Sequence, residues 1–218
     1  MKKMVIVGLV LVLSFSFTVL ANAADVKAKG KAATTAAAVT KVTLANLQTA
    51  YNGETNANAR YLAFAKKADE EGYPEAASLF RATARAEQVH LERHAEVIKK
   101  LGGTPAAKIE TPVVKSTKEN IQESLNGETY ETREMYPKFL KEAKKEKQTD
   151  AVDAFEDAGA AEGVHANLYA KALKNLDNMK ASKKDLYICP KCGNVVYVLD
   201  WPLCPICKTE SKKFLKVS

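Results

Sequence analysis

The sequence predicts a mainly α-helical protein, in which a four-helix bundle is followed by a small metal-binding domain that contains four cysteines. Three observations support this prediction. The 218-residue chain is rich in alanine, lysine and glutamate and has only 10 glycines and 7 prolines, a composition that favours helix. Apolar residues recur at helical spacing in the long segments that follow the N-terminal region. All four cysteines lie near the C-terminus, in two Cys-x-x-Cys pairs.

The N-terminal segment has the features of an export signal. Lys2 and Lys3 precede an apolar run from Val5 to Leu20, and Ala21-Asn22-Ala23 fits the small-residue pattern of a cleavage site. We therefore expect a signal peptide at residues 1–23, a periplasmic protein and no stable membrane insertion after cleavage. If the leader is not cleaved, the apolar run would anchor the chain, because its length is near the lower limit for spanning a membrane.

The first half of the predicted bundle, which as a whole occupies residues 41–182, follows a short connecting segment. Residues 24–40 are rich in alanine, threonine and lysine and predict a linker or a frayed helix. The first bundle helix covers about residues 44–70 and is interrupted at Gly72-Tyr73-Pro74. The second helix starts near Pro74, because proline is tolerated in a first turn, and it ends at Gly102-Gly103.

The second half of the bundle begins after a proline-containing crossover at residues 104–115. Ser116 and Glu119 form a capping-box pattern, which starts a third helix at about residues 117–147. Asp150 can cap a fourth helix, which is expected to run to about residue 180.

The two predicted helix pairs are similar in sequence. The tetrapeptide Asn-Gly-Glu-Thr at residues 52–55 recurs at residues 126–129, an offset of 74. A Glu-x-x-His motif at residues 87–90 recurs at residues 162–165, an offset of 75. Because separate motifs repeat at nearly the same offset, the sequence predicts a duplicated helix pair.

Each half supplies side chains that can bind a pair of metal ions. A helix places positions i and i+3 on one face, so each Glu-x-x-His motif presents both side chains to the same site. The other helix of each half adds one glutamate, and di-iron bundles combine their ligands in this way. Carboxylates with imidazole suit iron or manganese, whereas one motif alone would be typical of a solvated charged face. The predicted ligands are Glu54, Glu87, His90, Glu128, Glu162 and His165.

The two halves differ in the third helix. Glu131 follows Glu128 by three residues and is expected on the same helical face, whereas the matching position of the first half is Ala57. The third helix can therefore offer a ligand that the first helix lacks, and we expect two inequivalent metal positions. His94 shares a face with the second helix's Glu-x-x-His motif, but a packed or partly exposed histidine is a better interpretation than a further ligand.

The C-terminal cysteines predict a metal-binding domain at residues 183–218. Four thiolates in two knuckles can surround one ion tetrahedrally, and the spacing fits both iron and zinc. Disulfides are the alternative, because an exported protein enters an oxidising compartment. Val195 to Leu199, with Trp201, would form short strands and shield the metal. The predicted ligands are Cys189, Cys192, Cys204 and Cys207.

Taken together, these motifs resemble those of rubrerythrins, and the likeness covers residues 41–218. The resemblance implies a ferritin-like di-iron bundle followed by a rubredoxin-like domain, with iron in both. It implies that Glu131 is a seventh ligand of the di-iron site and exchanges with His90 as the redox state changes. Tyr61 and Tyr136, 75 residues apart, match family tyrosines that hydrogen-bond ligand carboxylates.

One residue departs from the family pattern. Lys208 follows the second cysteine of the second knuckle, where glycine is common in the family. If the backbone there is left-handed, a side chain costs about 1 kcal/mol, which would reduce the stability of the site without abolishing it.

The resemblance implies a peroxidase that acts in oxidative stress defence. Hydrogen peroxide would be reduced to water at the di-iron site, with electrons delivered through the rubredoxin-type iron. The resemblance also implies head-to-tail homodimers, in which one subunit's thiolate-bound iron lies near the partner's di-iron site. An unknown electron-donor protein has to be present, because reduced nicotinamide is not expected outside the inner membrane.

Other functions would use the same motifs differently. A ferritin-like iron oxidation and storage protein would use the bundle with dioxygen but would not need the cysteine domain. A zinc-ribbon interaction protein would use the bundle as a scaffold, and its cysteine site would be colourless. Nucleic acid is disfavoured as a partner, because the formal net charge of +7 is not arranged as a basic stripe with aromatic residues.

Overall fold

The computed structural model describes the backbone from residue 23 and the side chains from residue 42, both to residue 218. The predicted signal peptide, up to residue 22, lies outside the described residues. Within the described part of the chain, no helix combines the length and apolarity needed to cross a membrane. Residues 24–40 belong to the first helix, and the division between a linker and a bundle domain stays a prediction.

Four bundle helices are present, as the sequence predicts, and the third contains a π-helical turn. The first pair is α1 (Ala23–Glu70) and α2 (Pro74–Lys100). The third bundle helix consists of α3 (Thr117–Tyr130), a π turn (Glu131–Met135) and α4 (Tyr136–Lys145), and the fourth is α5 (Thr149–Lys174). The predicted end near residue 180 is wrong, since Leu176–Lys180 forms a separate 3-10 turn.

The ends of the first two bundle helices and the start of the third follow the local sequence. Gly72 and Gly102 adopt φ of +78°, the left-handed conformation that ends a helix. The capping box is confirmed, because the Ser116 side chain accepts from Glu119 N while the Glu119 carboxylate accepts from Ser116 N. The predicted cap at Asp150 is wrong. The α4–α5 turn is so short that Asp150 already lies in the first turn of α5, where its carboxylate bonds Lys100 Nζ at 3.1 Å.

Side-chain amides on α1 hold the crossover between the two halves. Lys108 N donates to Asn52 Oδ1 at 2.8 Å. Glu110 N donates to Asn56 Oδ1 at 2.9 Å, and Gln48 Nε2 donates to the Thr104 carbonyl at 2.6 Å. Because these amides are one helical turn apart, they match an extended chain that runs along α1 and satisfy its backbone groups.

Two apolar clusters lie at opposite ends of the bundle and leave its middle for polar residues. One cluster contains Tyr61, Phe64, Phe80 and Tyr169. The other contains Leu47, Ile98, Tyr136, Phe139 and Phe155. Along each bundle helix, the glutamate lies between a residue of one cluster and a residue of the other, and these glutamates are Glu54, Glu87, Glu128 and Glu162. Burial of the aromatic rings supplies the main driving force that keeps this polar layer out of water.

The cysteine domain is a small antiparallel sheet with two loops. Its strands are β1 (Leu186–Ile188), β2 (Val195–Val196) and β3 (Leu215–Val217), in the order β2-β1-β3. The predicted strand therefore ends at Val196 instead of Leu199, and Val198 is exposed. Trp201 packs against Phe214, with ring centroids 5.5 Å apart.

The cysteine domain lies against the bundle of its own chain. Lys184 N donates to Ser78 Oγ at 3.2 Å, and Arg81 Nε donates to the Ser218 carbonyl at 2.7 Å. Lys191 Nζ approaches an Asp157 carboxylate oxygen at 3.6 Å. These contacts with α2 and α5 place the first knuckle over the middle of the bundle.

Candidate metal centre

Four helices each contribute one buried glutamate to the middle of the bundle. Glu54, Glu87, Glu128 and Glu162 are at most 1% exposed, and two buried histidines accompany them. Two sets of potential ligands have one atom per residue within 4.8 Å of one another. The sets are Glu54, Glu87, His90 and Glu162, and Glu87, Glu128, Glu162 and His165. Because Glu87 and Glu162 belong to both sets, they can bridge two ions.

The histidines point their Nδ1 atoms into this cluster. His90 Nδ1 lies 2.8 Å from Glu162 Oε1 and 2.9 Å from Glu87 Oε2. His165 Nδ1 lies 2.7 Å from Glu162 Oε2. Apart from these approaches of the histidine Nδ1 atoms, one oxygen each of Glu54, Glu87 and Glu128, and both oxygens of Glu162, are buried without a hydrogen-bond partner among the described residues. Unpartnered buried oxygens that face one another are what a pair of cations would satisfy.

The electrostatics of the cluster also favour bound cations. Burial and the charge of Glu162 raise the pKa of the Glu54 and Glu128 carboxyls well above the usual range and raise that of Glu87. Burial acts on Glu162 in the same direction, but His90 and His165 hold its pKa below the usual range. Four carboxylates in one dry layer repel one another, and two divalent ions would offset that repulsion.

Glu131 lies beside the cluster but in neither ligand set. It belongs to the π turn and keeps some exposure to solvent. Burial and the Glu54 carboxylate raise its pKa well above the usual range, so its side chain is close to the other acids. Of the two residues that the resemblance assigns to ligand exchange, the structure places His90 in the cluster and Glu131 next to it.

Both tyrosines hydrogen-bond a glutamate from the opposite half of the duplication. Tyr61 donates to Glu128 Oε1 at 2.7 Å, and Tyr136 donates to Glu54 Oε1. Burial and the nearby carboxylates raise the pKa of both phenols, so they stay protonated as donors. These placements agree with what the resemblance implies for the two residues.

The four cysteines form a second, separate candidate site. All four sulfurs lie within 4.8 Å of one another, with Cys189 Sγ 3.4 Å from Cys207 Sγ and Cys192 Sγ 3.6 Å from Cys204 Sγ. An ion about 2.3 Å from each sulfur would hold them about 3.8 Å apart in a tetrahedron. No disulfide joins these four thiols, so the disulfide alternative does not describe them.

The two knuckles have the same backbone turn with different residues. Gly193 N donates to the Cys189 carbonyl, and Lys208 N donates to the Cys204 carbonyl, both at 3.0 Å. Gly193 has φ of +72° and Lys208 has φ of +62°. Lys208 is therefore left-handed, as the comparison with the family pattern anticipates.

The first knuckle connects the two metal sites through hydrogen bonds. His90 Nε2 lies 3.0 Å from the Cys192 carbonyl, and His165 Nε2 lies 2.9 Å from the Gly193 carbonyl. Because Nε2 of each imidazole donates to the knuckle, Nδ1 is the atom that would bind a metal, an arrangement that would fix the tautomer of the metal-bound ring. The sequence does not predict these contacts, because backbone carbonyls leave no residue-type signal.

The fold and these two sites define a class of protein, namely a ferritin-like di-iron carboxylate protein with a rubredoxin-like cysteine site. The family model described as Rubrerythrin matches residues 45–173. The chain belongs to the rubrerythrin family. The family binds iron, and the carboxylate–histidine cluster and the four-cysteine cluster that fit this metal are both present.

Individual relatives support this membership. Nigerythrin of Nitratidesulfovibrio vulgaris is 41% identical over 166 residues, which is 76% of this chain and 81% of the relative. Rubrerythrin-2 of Clostridium acetobutylicum is 33% identical over 77% of this chain and 92% of its own length. The structure of nigerythrin in its fully reduced, all-ferrous state has a TM-score of 0.74 at 38% identity, covering 80% of this chain and 86% of that one. A bacterioferritin from Desulfovibrio desulfuricans is less similar, with a TM-score of 0.60 at 26% identity over 66% of this chain and 84% of that one.

Proposed function

We propose that this protein is an exported peroxidase that reduces hydrogen peroxide to water in oxidative stress defence. The observation that carries the proposal is the double hydrogen bond from His90 and His165 to the first cysteine knuckle. It joins a site that can store two electrons to a site that can pass one electron at a time. A storage protein or a zinc scaffold would have no use for this connection.

The proposed reaction divides the work among the buried side chains. Iron held by the carboxylate–histidine cluster would supply the two electrons that peroxide needs, and iron held by the four cysteines would return them one at a time. Glu87 and Glu162 hold the two metal positions together from opposite helices. Tyr61 and Tyr136 keep the outer carboxylates oriented by donating to Glu128 and Glu54. Glu131, which lies beside the cluster, would replace His90 as a ligand, as the family resemblance implies.

Substrate access is best supported at the α3–α5 side of the site. Glu131 retains exposure, whereas the six clustered ligands are at most 2% exposed. A cleft of about 350 Å³ lies beside it and is lined partly by Thr132 and Gly163, the sequence neighbours of Glu131 and Glu162. Because the ligand cluster itself is closed, only a small substrate such as hydrogen peroxide would pass from this cleft to the metal positions.

The test uses the full-length, iron-loaded protein after anaerobic reduction. One equivalent of hydrogen peroxide per di-iron site accepts two electrons and should oxidise the bundle iron, and a further half equivalent should restore the ferric-thiolate absorption of the cysteine site. Cys204→Ser removes one thiolate ligand. Its bundle iron should still react once with peroxide, but the electron donor should not reduce that iron again. If the reduced protein fails to oxidise with stoichiometric peroxide, the proposal is wrong.

The route of the electrons from the cysteine site to the di-iron site is a second part of the proposal. Family resemblance supports a homodimer with delivery between subunits, while the contacts of the described chain support delivery within one subunit. Mixed dimers of Cys204→Ser and Glu87→Gln separate the two routes. Restored turnover in the mixture requires transfer between subunits, and no restoration supports the path within one chain. An exported donor protein is proposed for both routes.

A ferritin-like iron oxidation and storage function is the second candidate. The likeness to a bacterioferritin favours it, since that likeness covers the helical bundle fold. It predicts faster oxidation by dioxygen than by peroxide, uptake of many more than three irons per chain, and large assemblies in solution. Iron analysis with size-exclusion chromatography distinguishes it from the peroxidase.

A further inference from the structure

His94 is a buried histidine outside both ligand sets. It follows His90 by one helical turn on α2 and has no exposed surface. Its Nε2 lies 3.0 Å from the Tyr136 hydroxyl oxygen, and its ring centroid lies 5.6 Å from that of Phe155. Its Nδ1 is buried and has no hydrogen-bond partner among the described residues.

The chemistry of Glu54 determines the direction of these hydrogen bonds. A carboxylate that binds a metal is ionised and can only accept, so Tyr136 donates its single hydroxyl hydrogen to Glu54. The Tyr136 oxygen then accepts from His94, which must carry its hydrogen on Nε2 and leave Nδ1 as an unpartnered acceptor. The environment agrees with a neutral ring, because burial lowers the pKa of His94 to about 3.

The other half of the duplication has no equivalent contact. Position 169, which is 75 residues after position 94, is a tyrosine, and its hydroxyl lies 2.5 Å from Thr83 Oγ1. Tyr61 donates to Glu128, and its hydroxyl has no second partner among the described residues. An apolar side chain at position 94 would fill the same space without leaving a buried nitrogen unpartnered, so packing does not explain a histidine there.

We propose that His94 is a positioning residue that holds the Tyr136 hydroxyl as a donor to Glu54, and so makes the metal position of Glu54 differ electronically from that of Glu128. A hydroxyl that accepts a hydrogen bond is a stronger donor. A carboxylate that accepts a stronger hydrogen bond transfers less negative charge to its metal ion, which favours the ferrous state. This inference rests on the di-iron site of the proposed function and not on its reaction with peroxide.

The main test is a redox titration of the di-iron centre, followed by EPR, in the full-length iron-loaded protein. His94→Leu and Tyr136→Phe should each shift the midpoint potential to more negative values, and the double variant should match Tyr136→Phe alone. The potential of His94→Gln should lie much closer to that of the unaltered protein than the potential of His94→Leu does, because the glutamine amide can donate to Tyr136. Tyr169→Phe, at the duplicated position, should leave the potential unchanged.

Two outcomes of the titration would overturn the proposal. One is an unchanged potential in His94→Leu alongside a shifted potential in Tyr136→Phe, and the other is additive shifts in the double variant. If His94→Leu fails to fold, NMR of labelled histidine nitrogens in the unaltered, zinc-loaded protein decides the question. Hydrogen on Nε2 of His94 supports the proposal, and hydrogen on Nδ1 overturns it. The redox titration and the NMR measurement do not use peroxide, so both still test the role of His94 if the protein fails to react with peroxide.

Discussion

At the scale of single residues, Gly193 sets how closely the cysteine domain approaches the di-iron site. Its φ of +72° is a conformation that glycine adopts without strain. A Cβ atom at this position would lie 2.3 Å from His90 Nε2, far inside van der Waals contact. The knuckle can therefore reach both imidazoles only because position 193 has no side chain.

Gly193→Ala should separate the two metal sites without removing either. Because the added methyl group collides with the His90 ring, we expect the first knuckle to move away and re-reduction of the bundle iron to slow by about tenfold or more. Stopped-flow absorbance after a peroxide pulse measures that rate. Lys208→Ala is the matched control, since it places alanine at the equivalent left-handed position away from the imidazoles. A rate equal to that of the unaltered protein in Gly193→Ala would contradict this account.

Lys208 is the complementary case, a side chain where the backbone favours glycine. The left-handed conformation costs a non-glycine residue about 1–2 kcal/mol, while glycine adds about 0.5–1 kcal/mol of unfolded-state entropy. Lys208→Gly should therefore stabilise the cysteine domain by about 0.5–1 kcal/mol. Thermal loss of the ferric-thiolate absorption measures this change, and Lys212→Gly on the exposed 3-10 turn is the control. A lower thermal midpoint in Lys208→Gly than in the unaltered protein would contradict a destabilising backbone strain at this position.

At the scale of secondary-structure elements, the π turn of the third bundle helix explains a small irregularity of the repeat. The offset between the two halves is 74 at Glu54 and Glu128 but 75 at Tyr61 and Tyr136. The second half thus has one extra residue between its glutamate and its tyrosine, and Glu131–Met135 is π-helical within that interval. A π turn absorbs one additional residue, so both Glu128 and Tyr136 still face the interior.

Deletion of Arg133 should convert the π turn into an ordinary α-helical turn. Arg133 is exposed, and its removal restores the spacing of the first half, so the buried residues on both sides keep their faces. We expect the free energy of unfolding to change by about 1 kcal/mol or less, while Glu131 loses its placement beside the site. Chemical denaturation measures stability, and absorption spectra of the loaded protein report the site.

Deletion of Lys138 is the control for this experiment. Lys138 is also exposed, but an α-helix has no spare residue at that point, so its loss rotates buried Phe139 away from the core. A cost of about 3 kcal/mol or more is expected, as for truncation of a buried phenylalanine. Equal destabilisation by the two deletions would argue against the π turn as the place of the extra residue.

At the scale of the whole molecule, the buried carboxylates make stability depend on metal and pH. The pKa values of Glu54, Glu87 and Glu128 are raised in the folded chain, mainly by burial. The folded metal-free protein therefore binds protons more tightly than the unfolded chain does. The stabilisation from these groups is fully present below their unfolded pKa of about 4.3 and is lost as the pH rises through the folded values.

Removal of metal should therefore matter more at alkaline than at acidic pH. We expect the midpoint temperature of the metal-free protein to fall between about pH 5 and pH 8, because the acids ionise without a counterion. Saturating metal should add about 3 kcal/mol or more at the higher pH. Circular dichroism with and without metal measures this difference.

A pair of glutamate variants tests the cause of the pH dependence. Glu128→Gln should flatten the pH dependence of the metal-free protein and reduce the gain from metal, because it removes one buried acid. Glu123→Gln, at an ion-paired surface position near Lys115, should change neither. A metal-free protein whose stability rises with pH would contradict the buried acids as the cause.

The helical bundle and its potential ligands could be predicted from local sequence because their signals are local. The Glu-x-x-His spacing, the Cys-x-x-Cys knuckles and the Ser116–Glu119 capping box each depend on residues within a few positions of one another. The errors at Asp150 and Leu199 have a different origin. Loop length decides which residue begins α5, and pairing with β1 decides where β2 ends, and neither is visible in residue type.

The sequence by itself therefore determined the family, the four-helix bundle, the cysteine site and the residues that can bind iron, since periodicity and spacing bring those side chains together within one helix or knuckle. Only the tertiary structure decided that each tyrosine serves the glutamate of the opposite half, that the first knuckle meets both imidazoles, and that His94 bonds Tyr136. These contacts join residues 28 to 102 positions apart, and such pairs are chosen by how the helices pack and not by any local pattern.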